Sequence, residues 1–487
     1  MSFVNFSFWG LFLPIVAVIY FALPKYQQQN AFLLLASLVF YSFFDYKYIV
    51  LLGYSVAVTF FGGKYLSRLL QQSKKSLGKF VLVLSLVLNF APLIFFKYIG
   101  FFSDNINLLC SWAGFSLRIP RFVFPVGLSF FIFQSTTYLL DLYYGKTTPE
   151  KSLVTYSLFV SFFPTIISGP IQRSFRLLPA FRERRTVSWD RMQSAFLIFL
   201  WGMFVKMVVA DRLAVFTEET FTNFSQYGFW MLSLSIAAYS IQIYADFYGY
   251  SLMAAAVARL LGFDLPDNFC QPYMAASVAE FWRRWHISLS SWFRDYIYIP
   301  LGGSRKGTWR KYANLTLVFL ISGIWHGSTW NFVIWGGLHA VYQILGYVTK
   351  SGREAALKKL GIRQDAFSYR LWKRLYVGAA VGIAWVFFRL TVQDACGFLT
   401  AMFTGWDLES FFLQMPKQLG LDGITVFAVL LFSMVSVLRE HGYTCQSVLR
   451  QNLAFRLMCY FFLILFILLW GCYGPAFSSS AFIYMDF

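Results

Sequence analysis

Phe281-Trp282-Arg283-Arg284-Trp285-His286-Ile287-Ser288-Leu289-Ser290, then Trp292-Phe293-Arg294-Asp295-Tyr296-Ile297-Tyr298-Ile299-Pro300-Leu301-Gly302-Gly303 and, after one apolar run, Ser322-Gly323-Ile324-Trp325-His326-Gly327 are the segments that decide how the chain is read. Arginines, two histidines, an aspartate and many tryptophans stand here in a sequence that is otherwise of membrane type. Charged groups are costly beside hydrocarbon, so by default they face protein or a wet cavity and mark a functional site.

The flanking sequence makes the surroundings a bilayer. Of 487 residues, 58% are hydrophobic and 21% aromatic, and only 13% are charged. Soluble chains carry roughly 25% charged residues, so this one has more apolar surface than a water-soluble core can hide. Apolar runs of about 17–25 residues recur from end to end, the length needed to cross a bilayer as helix. Such runs exclude a β-barrel, whose strands read as alternating segments of roughly ten residues. The fold class is all-α, a polytopic membrane protein. The net charge of +19 invites a nucleic-acid partner. The basic residues lie in short loops between apolar runs, however, as the positive-inside bias dictates, and there they can meet acidic lipid. Membrane lipid is the expected partner, and no nucleic acid is. Six scattered cysteines form no CxxC pair, so neither a disulfide framework nor a metal spacing is present. Met1 to Trp9 lacks a basic n-region and a small-residue cleavage site, so the first span is expected to be retained.

Apolar runs lie near 6–23, 30–45, 48–66, 80–100, 122–143, 153–169, 192–212, 228–250, 312–326, 330–349, 375–391, 421–438 and 453–474. They predict about 11–12 crossings with re-entrant and amphipathic helices around a central funnel. Loops 64–79, 170–191 and 350–374 are rich in lysine and arginine and are assigned to the cytoplasm; 214–227 and 392–420 lack that excess and are assigned outside. Both termini then lie outside. The 153–169 run is short and ends Phe163-Pro164-Thr165-Ile166-Ile167-Ser168-Gly169-Pro170, which predicts a re-entrant segment. Residues 251–300 are too polar to cross and too aromatic for a free loop, which predicts short amphipathic helices. No polar insert is long enough for a separate soluble domain, and no internal repeat is seen, so residues 1–487 are read as one membrane domain.

Four histidines occur: His286, His326, His339 and His441. Imidazole can take and return a proton near neutral pH. His326 closes an apolar run between Trp325 and Gly327, where partial desolvation favours its neutral, basic form. A structural histidine bonded to a neighbouring helix is the rival reading. Gly323 and Gly327 leave room for a substrate or another backbone. Arg283, Arg284 and Arg294 suit phosphate groups or are snorkelling interfacial cations. Asp295 orients a histidine or pairs with an arginine. Trp282, Trp285 and Trp292 line the site or form an interfacial belt. His339 follows Gly336-Gly337 in a helical run and reads as packing. There is no HExxH or other metal spacing, no P-loop and no GxSxG elbow, so no metal or permanently bound cofactor is expected.

With these residues in view, the chain resembles the membrane-bound O-acyltransferase family. The resemblance is to its bacterial branch of alginate and peptidoglycan O-acetyltransferases and teichoic-acid D-alanylation enzymes. It rests on Phe124-Pro125-Val126-Gly127-Leu128-Ser129-Phe130-Phe131 with Phe133-Gln134-Ser135, and on Phe162-Phe163-Pro164 with Ser168-Gly169-Pro170-Ile171-Gln172-Arg173. It rests further on Leu265-Pro266-Asp267-Asn268-Phe269 with Pro272-Tyr273, the Trp282–Gly303 block, Ser322–Gly327, and Ala384-Trp385-Val386-Phe387-Phe388-Arg389. The resemblance implies that His326 is the catalytic histidine and His286 the second polar residue of the pair, within a catalytic core of about 122–349. Arg283, Arg284, Arg294, Asp295, Trp285, Trp325 and Gly327 would bind the donor or support the pair. It implies an acyl group, in the first instance acetyl from acetyl-CoA, taken from a cytoplasmic thioester and delivered outward for cell-wall or polysaccharide O-acetylation, through an extracytoplasmic partner. The rival functions are D-alanyl transfer from a carrier protein to teichoic acid and a polysaccharide or lipid exporter without covalent chemistry. Two departures stand out: Leu252 follows Tyr244-Ala245-Asp246-Phe247-Tyr248-Gly249-Tyr250-Ser251 where the branch usually has aspartate, and Met485-Asp486 replaces the commoner pair in the tail Phe482–Phe487.

Overall fold

The computed structural model describes residues 1–110, 122–403, 405–406, 408–414 and 421–473, so the Phe482–Phe487 tail and part of the 392–420 loop lie outside the described residues. Among the described residues every regular element is a helix. Six helical stretches among the described residues are long and apolar enough to cross a bilayer, seven if the bent pair Trp330–Val348 and Lys350–Lys359 is one span. This is a multi-pass, all-α membrane protein. Other runs make shorter helices: 122–143 yields one of 16 residues and 153–169 one of nine. Contacts group the chain into two compact units, Met1–Phe199 with Tyr250–Pro266, and Leu200–Gly249 with Asp267–Phe487.

The first unit opens with α1 (Leu13–Ala22), α2 (Tyr26–Asp45), α3 (Ile49–Gln71) and α4 (Lys75–Cys110). It continues with α5 (Leu128–Tyr143) and the nine-residue α6 (Leu153–Ser161). Helices in lipid gain little from burying apolar surface against one another, so polar groups join them. Asn89 of α4 donates to the Ile132 carbonyl and to the Ser135 and Thr136 hydroxyls of α5, and accepts from Ser55 of α3. The stretch after α6 is irregular and buried, with Phe162 and Phe163 fully enclosed. Its backbone finds partners inside the protein: the Phe163 N–H donates to the Ser37 hydroxyl at 3.1 Å and the Thr165 N–H to the Phe162 carbonyl at 2.8 Å. A nine-residue helix rises only about 13 Å, so α6 does not cross. Gly127 explains the Phe-Pro-Val-Gly motif: its φ is 76°, and a Cβ there would lie 2.6 Å from the Ile166 carbonyl oxygen.

In the second unit the end of α7 (Trp189–Phe204) passes through a π turn, Val205–Ala210, into α8 (Asp211–Thr222). The turn carries Lys206, whose ammonium meets Asp211 and Asp246 at 2.6 Å each. Helix α9 (Phe229–Leu260) runs ten residues beyond the expected end of its apolar run at 250. After Ser251 the extension continues Leu252-Met253-Ala254-Ala255-Ala256. Those residues are strong helix formers, and Met253 and Ala254 are fully buried. Only the later part of 251–300 breaks into short helices, α10 (Val278–Arg284) and α11 (Ile287–Phe293), followed by a π turn over Arg294–Tyr298. Then come α12 (Thr308–His326), α13 (Trp330–Val348), α14 (Phe367–Arg389), α15 (Gly423–Glu440) and α16 (Leu453–Trp470). Helices α12 and α13 touch backbone to backbone. A Cβ on Gly323 would sit 2.3 Å from the Phe332 carbonyl oxygen, and one on Gly336 2.3 Å from that of Phe319.

Candidate active site

His286 occupies the joint between α10 and α11 in the left-handed region, φ 43° and ψ 54°. A non-glycine residue there is strained by about 1–3 kcal/mol and persists only where its surroundings hold it. The holder is Asn268. Its side-chain oxygen accepts from the Ser288 backbone N–H at 3.2 Å and the Ser288 hydroxyl at 2.9 Å, and pairs with His286 Nδ1 at 3.2 Å. A backbone N–H can only donate, so that atom of Asn268 is the oxygen and His286 Nδ1 carries the proton. The Asn268 carbonyl accepts from the Ile287 N–H and the Arg284 carbonyl from the Cys270 N–H, so 268–270 splints the joint. Burial pushes the His286 imidazole down to about 3, which keeps it neutral.

The His286 ring stands edge-on to Phe247 at 4.7 Å and lies 6.3 Å from the Trp325 indole. The same indole lies 4.7 Å from the His326 ring. The structure therefore brings the two imidazoles, forty residues apart in sequence, onto one side chain. His326 ends α12, and its ring is walled by Trp335 at 4.9 Å and Phe388 at 5.3 Å. Both histidines are buried. Gly327 gives space to protein: a Cβ there would overlap the Phe332 ring.

The supporting residues divide. Trp325 joins the two histidines. Trp285 is packed, stacked on Phe281 and against Trp385 at 5.1 Å, and Trp282 and Trp292 are buried too. These indoles build the interior wall and form no interfacial belt. Arg284 is taken up by two carboxylates: it forks onto Glu440 at 2.6 and 3.0 Å and reaches Glu280 at 2.7 Å. Arg283 is exposed. Arg294 is 63% exposed and pairs with Asp295 at 2.9 Å. Of the two readings of Asp295 the structure shows the ion pair, and the residue that orients a histidine is Asn268.

His339 is the group that the sequence reading passed over. It is fully buried, accepts a hydrogen bond at Nδ1 from the Trp282 indole N–H at 3.2 Å, and lies 5.0 Å from Trp335. The available signal was its spacing of four from Trp335, which puts both on one helix face. Asn268 was visible only as part of a motif. Among the described residues no three His, Cys, Asp or Glu side chains are grouped to hold a metal ion.

An imidazole inside an aromatic box, sharing Trp325 with a second imidazole of fixed tautomer, suits proton transfer to and from a hydroxyl or thiol. The comparisons point the same way. The model of the membrane-bound O-acyltransferase family matches residues 149–383, a span that contains Asn268, His286, His326 and His339. The chain is 35% identical over 412 residues to "Probable alginate O-acetylase AlgI" of Azotobacter vinelandii, covering 84% of this chain and 79% of that protein. It is 33% identical over 452 residues to "Peptidoglycan O-acetyltransferase" of Helicobacter pylori, covering 85% and 79%. To "Teichoic acid D-alanyltransferase" of Bacillus subtilis it is 28% identical over 229 residues, covering 44% and 57%.

Proposed function

The chain belongs to the membrane-bound O-acyltransferase family and is an O-acyltransferase, and from that premise we propose that it takes an acetyl group from a cytoplasmic thioester, acetyl-CoA, and delivers it for O-acetylation of an extracytoplasmic polysaccharide. The observation that carries the reading is the meeting of His286 and His326 on Trp325. His326 accepts the proton of the attacking hydroxyl, and His286, held by Asn268, orients the donor. The acetyl reading is supported over D-alanyl transfer by the alignments, which cover most of this chain for the two acetylating relatives and under half of it for the D-alanyltransferase. The acceptor is the polymer or a partner transferase outside a bacterial plasma membrane, with both termini of this chain on that side.

The test compares wild type with His326→Ala at matched abundance in membranes supplied with radiolabelled acetyl-CoA. Polymer labelling should fall by roughly 10²–10⁴-fold. Unchanged labelling would end the assignment of His326. Labelling that a D-alanyl carrier protein outcompetes would move the donor to that class, and polymer export without release of CoA would favour an exporter.

A further inference from the structure

Two hydrogen-bond donors on α13 lie fully buried with no acceptor among the described residues: the Trp335 indole Nε1 and His339 Nε2. Most buried polar groups have a partner, and one that lacks it calls for an explanation. The tautomer of His339 is fixed. The Trp282 indole N–H can only donate, so the Nδ1 it meets at 3.2 Å is the lone-pair nitrogen and the proton sits on Nε2. His339 therefore presents a donor, and it cannot serve as a base without losing Trp282. Trp335 lies between two imidazoles, 4.9 Å from the His326 ring and 5.0 Å from the His339 ring. Trp335 and His339, one turn apart on α13, thus put two buried N–H groups on one helix face, with the Trp335 ring against the residue assigned as base.

We propose that Trp335 Nε1–H and His339 Nε2–H are the donor pair that receives the carbonyl oxygen of the acyl thioester during transfer. This rests on the reading of His326 as base. The hydroxyl oxygen of the acceptor attacks the thioester carbonyl carbon while His326 takes the hydroxyl proton. The carbonyl π electrons move onto oxygen, and the oxyanion accepts from the two N–H groups. When the oxyanion collapses, the C–S bond breaks, the ester C–O bond stays, and the thiolate takes the proton back from the imidazolium. Donors fixed by the fold before the reaction need no reorganisation when charge develops. Their lack of a ground-state acceptor in the protein is what such a role requires.

The test uses the full chain in membranes, with acetyl-CoA as donor and initial rates at matched abundance. Trp335→Phe and His339→Leu should each lower the maximal rate roughly 10²-fold, the scale of one lost oxyanion donor. The apparent KM for acetyl-CoA should stay within about twofold, because the interaction is made only in the transition state. His339→Gln should recover most of the rate, since its amide oxygen can accept from Trp282 while its N–H donates onward. Unchanged rates in Trp335→Phe and His339→Leu would overturn the proposal while His326→Ala remains inactive. Equal losses in His339→Gln and His339→Leu, tracking a fall in melting temperature, would also overturn it by making His339 structural. An active His326→Ala would instead remove the base on which the scheme depends.

Discussion

Asn268 gives the sharpest prediction. Replacing it with leucine, which is close in shape, removes the acceptor for three donors: His286 Nδ1–H, the Ser288 N–H and the Ser288 hydroxyl. A buried donor left without its partner costs about 1–3 kcal/mol. The hydroxyl can turn to another acceptor, so two of the three set the scale, and the strain of His286 at φ 43° loses its restraint. The expected loss of stability is roughly 3–5 kcal/mol. Activity should fall about as far as in His286→Ala, because the ring is no longer held. The assay is tryptophan fluorescence through thermal unfolding in detergent, paired with acetyl transfer in membranes. Asn268→Asp separates the two effects: a carboxylate accepts the same three bonds, so folding survives, but its charge stabilises the imidazolium and raises the His286 pKa. That variant should lose activity progressively as pH falls below neutrality. Wild-type melting and wild-type rates in Asn268→Leu would refute the splint.

The remaining predictions follow from other contacts. The folded pKa of His286, about 3, lies below its ordinary 6.5. The unfolded chain therefore binds the extra proton in that window, and stability should rise with pH between the two values and level off above the upper one; a melting temperature flat across that window would refute the neutral ring. Gly336→Ala places a Cβ 2.3 Å from the Phe319 carbonyl oxygen and should cost about 1–3 kcal/mol by forcing α12 and α13 apart, read as a lower midpoint of thermal unfolding. Arg284→Ala should destabilise by about 1.5–3 kcal/mol through loss of bonds to Glu440 and Glu280, whereas exposed Arg283→Ala should leave melting unchanged. If the exposed arginines attract donor phosphates, Arg283→Ala with Arg294→Ala should raise the apparent KM for acetyl-CoA most at low salt.

What the sequence revealed and what it hid divide by the range of the interactions. Proline and glycine at Phe163–Pro170 act on local backbone, and the break after α6 was legible from them. His326 and His286 stood out because imidazole is scarce in an apolar chain. Arg284 reads as a phosphate ligand or a snorkelling cation because its partner Glu440 lies 156 positions away, and no local spacing announces such a pair. The overrun of α9 escaped because polarity was taken as the end of a helix, while Leu252–Ala256 has the propensity to continue one whatever it crosses.

The glycines of Ser322–Gly327 show how one motif can be legible in type and obscure in purpose. Their freedom from side chains left either a substrate or a backbone to fill the space. The contacts assign it to backbone and ring: Gly323 to the Phe332 carbonyl, Gly327 to the Phe332 side chain. That close packing has a functional consequence. Without a Cβ at Gly323 and Gly336, α12 and α13 approach closely enough for His326, at the end of one, to touch Trp335 on the other. The same approach sets His339 one turn further along α13. The glycines thus fix how closely the His326 ring approaches the Trp335 indole, and if His326 is the base, a methyl added at either should slow transfer even where the protein still folds.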